Sequence, residues 1–222
     1  MKNIIGHRGA AGLGLENSKA AIQQALTHGV SAIEIDVRQS RDKRLILCHD
    51  ADLTKMTGDS RKVGDLDWAE LKNLPLLDGS RMLLLEDALK LIGQTPVIVE
   101  VKDDESEETL LTVLDEFPAA DLTVASFKRS FLARLRELRP ELKLYVLEHT
   151  DPLDGILFAK RHKLQGFGLN FWLLHPIAYN RAKKAKLDIY VYTINHQFLA
   201  WFLHLLYPKA AICSDHPEHF NQ

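Results

Sequence analysis

The 222-residue chain predicts an α/β fold, a (β/α)8 barrel with a β-hairpin arm and a small insertion after the second strand. Strand-like and helix-like segments alternate from end to end, as a parallel sheet with crossover helices requires. One pair of consecutive strands is joined by fewer than the dozen or so residues a parallel crossover needs, so that pair must form a hairpin. Polar and titratable residues also recur at the strand ends, where such barrels gather their chemistry.

The first strand is residues 3–6, followed by a helix over 16–28 with Asn17 or Ser18 as N-cap and Gly29 beyond its end. Strands follow at 32–37 and 45–49, then a helix at 85–92 and a strand rich in β-branched residues at 96–101. Strand–helix pairs continue at 122–126 with 130–138, 143–147 with 153–162, and 166–170 with 176–186. The last strands are 188–193 and 211–213, with a helix around Trp201 between them. That makes nine strands for an eight-stranded barrel. The excess one is 45–49, pairing antiparallel with 32–37 around Arg41-Asp42-Lys43. A turn centred near Asp42 places His49 opposite Asp36. Residues 51–84 carry scattered turn signals and are expected to be an inserted loop within a single domain spanning 1–222.

Hydrophobic residues are 46% and charged residues 26%, ordinary for a globular chain. Lys plus Arg is 28 against 30 for Asp plus Glu, a net charge of −2 that supplies no electrostatic footprint for nucleic acid or an anionic membrane. The most apolar segment, 198–207, is shorter than the ~20 residues a membrane span needs, so stable membrane insertion is not expected. It reads as a buried barrel helix or the interface of a homodimer. The two cysteines, Cys48 and Cys213, sit in apolar strands and read as free thiols. The chain opens Met1-Lys2-Asn3-Ile4 without a signal-peptide stretch, so a cytoplasmic location is expected.

Glu34 and Asp36 flank Ile35, and alternate side chains on a strand share a face. Two adjacent buried carboxylates repel and each is costly to desolvate, a conflict that a divalent cation resolves. Glu100 supplies a third carboxylate two residues before Lys102. An all-carboxylate set without cysteine suits a hard ion, Ca2+ or Mg2+. The competing reading is an amphipathic strand with both acids in water. His7 and His49 sit at strand ends near these acids, and histidine can act as general base and general acid near neutral pH. Arg8 and Lys102 add fixed positive charge suited to phosphate oxygens, although Lys102 could simply pair with Glu100 or Asp103.

In register, His7-Arg8-Gly9-Ala10, Glu16-Asn17-Ser18, Glu34-Ile35-Asp36-Val37, His49-Asp50 and Glu100-Val101-Lys102 resemble the glycerophosphodiester phosphodiesterase family. Ser126-Phe127, Leu169-Asn170, Tyr192-Thr193-Ile194-Asn195 and Ser214-Asp215-His216-Pro217 extend the resemblance over nearly the whole chain. It implies a TIM-type barrel, with Glu34, Asp36 and Glu100 as metal ligands, His7 and His49 as the acid/base pair, and Arg8 and Lys102 on the phosphate. The implied reaction is hydrolysis of glycerophosphocholine, glycerophosphoethanolamine or similar diesters to sn-glycerol 3-phosphate and an alcohol. Asn170, Trp172 and Tyr192 fall where the glycerol or alcohol moiety would sit. For the run Phe171-Trp172-Leu173-Leu174, packing under a loop is preferred over a pocket wall admitting lysolipids. The chain departs from the family at Asp42-Lys43, where Asp-Gly is usual, at Ser18 in place of Thr, and at Leu83-Leu84, where Pro-Thr is usual. The rival readings are a lysophospholipase D on the same scaffold and a catalytically silent phosphodiester-binding barrel.

Overall fold

The computed structural model describes residues 3–104 and 106–220. Its strands are β1 (Ile4–Gly6), β2 (Ala32–Gln39), β3 (Leu45–Leu47), β4 (Val97–Val101), β5 (Leu122–Ser126), β6 (Lys143–Glu148), β7 (Gly166–Asn170), β8 (Asp188–Tyr192) and β9 (Ala210–Ser214). All pair in parallel around one ring, β1-β9-β8-β7-β6-β5-β4-β2, which closes through the β1–β2 pairing. The exception is β3, which pairs antiparallel with the far end of β2 and stands outside the barrel, as the hairpin arm predicted. The fold is thus a TIM barrel.

Outside the ring run the helices α1 (Lys19–Thr27), α4 (Leu85–Ile92), α5 (Glu107–Asp115), α6 (Arg129–Leu138), α7 (Pro152–Arg161), α8 (Pro176–Lys184) and α9 (Gln197–Leu206). Two short helices, α2 (Thr54–Thr57) and α3 (Trp68–Leu71), fall between β3 and α4. The α1 start is later than predicted. Ser18 is the N-cap, accepting from the Ala21 amide, while Asn17 takes a left-handed φ of 56° and turns its side chain to β2 instead.

Alternation along β2 divides its side chains between two cores. Ile33, Ile35 and Val37 face the helices with Ile22, Leu89 and Val99. Glu34 and Asp36 therefore face the barrel interior, whose apolar floor is Ile5, Ile98, Ala125, Tyr145, Leu147, Tyr190 and Cys213. The edge-strand reading is excluded, since Glu34 is 3% and Asp36 1% exposed. Room for the large Tyr190 ring comes from Gly168 on β7, where a Cβ would lie 2.4 Å from that ring.

The 51–84 segment is more ordered than a loop. Leu53, Met56, Val63, Leu66, Leu71, Leu76, Met82 and Leu84 form a second apolar cluster on Ile46 and Cys48 of the hairpin arm. Helices of four residues span barely one turn, too little for a helical period to show in sequence. Among the described residues no helix is long and apolar enough to cross a membrane.

The hairpin register differs from the expectation by one residue. Val37 pairs with Leu47, and the Cys48 amide donates to the Asp36 carbonyl at 3.1 Å, so Cys48 and not His49 stands opposite Asp36. The reason is the turn: Ser40 closes on Arg44 through a three-residue loop, with Lys43 left-handed at φ 59°. His49 lies past the strand end, where Arg38 Nε donates to its carbonyl at 2.9 Å. A Cβ in that region costs ~1–2 kcal/mol, partly offset by the extra unfolded-state freedom of glycine. Lys43→Gly, the residue usual in the family, is expected to raise the unfolding free energy by about 0.5–1 kcal/mol in urea denaturation.

Candidate active site

The carboxylates of Glu34, Asp36 and Glu100 converge just above the Tyr190 floor, offering oxygens that all lie within 4.8 Å of one another. Strand register brings this about: Asp36 of β2 is the direct neighbour of Glu100 of β4. Unit like charges ~4 Å apart repel by about 4 kcal/mol at an effective dielectric near 20, so three buried anions need compensation. Lys102 supplies part of it, its Nζ lying 2.8 Å from Asp36 and 2.5 Å from Glu100. Arg8 supplies the rest, with Nη1 2.9 Å from Glu16 and Nε 3.3 Å from Asp36. The Arg8 amide also donates to Glu34 at 2.9 Å.

That compensation is unequal. Burial offers Asp36 no help, but Lys102 and Arg8 outweigh it and hold Asp36 down at about 2. Asn17 adds to this, donating from Nδ2 to Asp36 at 2.9 Å and accepting the Asp36 amide at 3.0 Å. Burial and then the Asp36 charge push Glu100 up to about 7, and the same two causes, with Glu100, push Glu34 well above the usual carboxylate range. Glu16 is a fourth buried acid and shares Arg8 with Asp36, its other partner being Lys55 from the insertion. Four buried carboxylates thus face two half-buried cations, Arg8 and Lys102, and the exposed Lys55. An all-oxygen donor set short of positive charge fits a hard divalent cation.

Both histidines have a carboxylate behind the ring. His7 Nδ1 is 2.6 Å from Asp215, which also accepts from Asn195 Nδ2 at 2.8 Å. His49 Nδ1 is 2.7 Å from Asp50. Since a carboxylate only accepts, Nδ1 carries the proton in each ring and Nε2 is the end left for chemistry. Burial and the nearby Lys102 and Arg8, set against Asp36, lower the His49 pKa, so its ring is neutral near pH 7. Asp215, despite burial, is held below the usual carboxylate range by its bond to His7.

His7, Arg8, Glu34, His49, Glu100, Lys102 and Tyr192 line one cavity of about 150 Å3 at the C-terminal end of the barrel. Tyr192 is fixed there by donating to the Glu148 carbonyl at 3.0 Å. Phe127 and Thr193 complete the wall. Asn170 and Trp172 do not line it. Asn170 accepts from the Trp172 amide at 3.1 Å, and Trp172 is 81% exposed, its ring tilted against Phe171. The packing expectation for that run therefore holds for Leu174, which is buried, and fails for Trp172. Asp215, Asn195 and Glu16 stand in the motifs quoted above, but the sequence assigns none of them a role. Their signal was present in the strand-end motifs, but their partners are distant in sequence.

The fold and this cavity define a barrel enzyme with histidines, carboxylates and cationic side chains gathered at the strand ends. The sequence pattern of the glycerophosphoryl diester phosphodiesterase family matches residues 7–219, and the chain belongs to that family of phosphodiesterases. Bacillus subtilis YhdW is 29% identical over 97% of this chain and 95% of its own. Lysophospholipase D GDPD1 of Rattus norvegicus is 28% identical over 94% of this chain and 71% of its own. An Oleispira antarctica phosphodiesterase, solved with the product sn-glycerol-3-phosphate, shares the fold at a TM-score of 0.92 and 23% identity, over 100% of this chain and 98% of that one.

The depressed Asp215 pKa has a pH signature. Its contribution to stability is complete above the ordinary value of 3.8 and is lost as pH falls through the lower folded-state value. Asp215→Asn is expected to lower stability at neutral pH and to flatten the acid limb of the stability curve. Urea midpoints measured between neutral and strongly acid pH check this, and parallel curves for the two proteins would refute it.

Proposed function

We propose that the chain hydrolyses glycerophosphodiesters such as glycerophosphocholine and glycerophosphoethanolamine to sn-glycerol 3-phosphate and an alcohol, with His7 and His49 as the acid/base pair. The observation that carries this reading is the convergence of both carboxylate-backed histidines on the cavity lined by Glu34, Glu100, Arg8 and Lys102, with Asp36 clustered behind the two glutamates. The product bound in the Oleispira antarctica structure supports a glycerol phosphate as the group recognised.

Glu34, Asp36 and Glu100 would hold a Ca2+ or Mg2+ ion, which when bound offsets charge developing on the phosphate. Arg8 and Lys102 bind and orient the phosphate oxygens. One histidine takes a proton at Nε2 from the attacking oxygen, whether of water or of the glycerol 2-hydroxyl, and the other returns a proton to the leaving oxygen. Asp215 and Asp50 hold the Nδ1 proton and so the orientation of each ring. Tyr192 forms the wall against which the glycerol or alcohol moiety rests. The exposed Trp172, beyond the cavity, favours a second reading, acceptance of a lysolipid whose acyl chain leaves over that ring; Rattus norvegicus GDPD1 is named a lysophospholipase D.

His49→Ala is expected to lower turnover by at least about 10²-fold, measured as glycerol 3-phosphate release; near-normal turnover would remove His49 from proton transfer. EDTA is expected to abolish that release and Ca2+ or Mg2+ to restore it. With Glu100 titrating at about 7, ion binding at neutral pH should release protons, and affinity should rise with pH through that value. Calorimetry in buffers of different ionisation enthalpy reads the proton count, and a count of zero would contradict the buried carboxylate site.

A further inference from the structure

Helix α9 is apolar on two opposite faces. Ala200 and Leu203 point into the protein and are buried. Phe198, Trp201, Phe202, Leu205 and Leu206 point out, and are between 44% and 76% exposed. The first four recur at i, i+3, i+4 and i+7, the spacing of one continuous helical stripe. Its ten residues contain no Asp, Glu, Lys or Arg, whereas α6 and α8 on the same barrel carry Arg and Lys. Gln197 and His204 are its two polar residues, and a helix apolar on both faces is normally covered on both.

We infer that this stripe is the contact face for a second copy of the chain, forming a two-fold dimer through α9 against α9. At ~200 Å2 for a fully exposed large side chain, the five residues present on the order of 500–600 Å2. That is the upper end of what a lone subunit exposes, and about two thirds of the ~800 Å2 per partner in a standard interface. A two-fold axis crossing between Trp201 and Phe202 pairs Phe198 with Leu205 of the other copy, without a charged group on either helix to oppose it.

The stripe's direction favours a second copy over a lipid surface. It runs about 15 Å down the outer wall of the barrel, away from the strand ends that carry the cavity, and not across that mouth. It also lacks the Lys and Arg that usually border a membrane-surface helix.

Light scattering and sedimentation of the full chain at micromolar concentration are the test. The expected mass is twice 25.2 kDa, falling to one chain for Trp201→Glu with an unchanged circular dichroism spectrum. Should Trp201→Glu fail to fold, Phe198→Ser and Leu205→Ser at the stripe's ends carry the same expectation. A monomeric wild type overturns the proposal, as does a dimer that survives these substitutions. Co-sedimentation of a monomer with phosphatidylcholine vesicles overturns it in favour of a lipid surface.

Discussion

Three carboxylates held together in the interior of the barrel are the constraint on which the surrounding structure depends. The barrel forces the juxtaposition, because β2 and β4 are adjacent and in register, with Asp36 beside Glu100. Nearby polar groups answer it. Lys102 bridges two of the acids, Arg8 joins a third buried acid to Asp36, and Asn17 gives up a helix-capping position to hold both the side chain and the amide of Asp36. Its left-handed backbone and the late start of α1 follow from that choice.

The same constraint separates the acids chemically. Asp36, paired with both Lys102 and Arg8, stays ionised, whereas Glu34 and Glu100 resist ionisation while no further positive charge is near. A cation binding at this group of side chains would therefore displace protons. The insertion contributes at a distance. Its cluster packs on β3, and its Lys55 reaches Glu16, so the segment that looks peripheral in sequence braces the hairpin from which His49 emerges.

Much of this was legible in the residues. Alternation of strand and helix specified a barrel, and the short β2–β3 connection specified which strand stands outside it. The i, i+2 spacing of Glu34 and Asp36 put both on one face, while closure of the barrel, not the apolar residues that alternate with them, makes that face internal. Less legible was whatever depended on a single residue of register or on a short element. The turn at Lys43 moved His49 one position, and α2 and α3 are too brief to show a period.

The sequence by itself determined the order of elements, through periodicity, and the class of chemistry, through motifs that resemble a family's and place acids, histidines and cations at the strand ends. Only the tertiary structure decided the partners. Asp215 stands 208 residues from His7, and Glu148 and Asp188 are held by Tyr192 and Tyr145 from other strands. It also decided that Trp172 and the outer face of α9 meet solvent, where an apolar run would ordinarily be read as core. Local spacing says which way a side chain points along its own strand or helix. What it meets there is set by ring closure and packing between segments far apart in the chain, and these have no local signature.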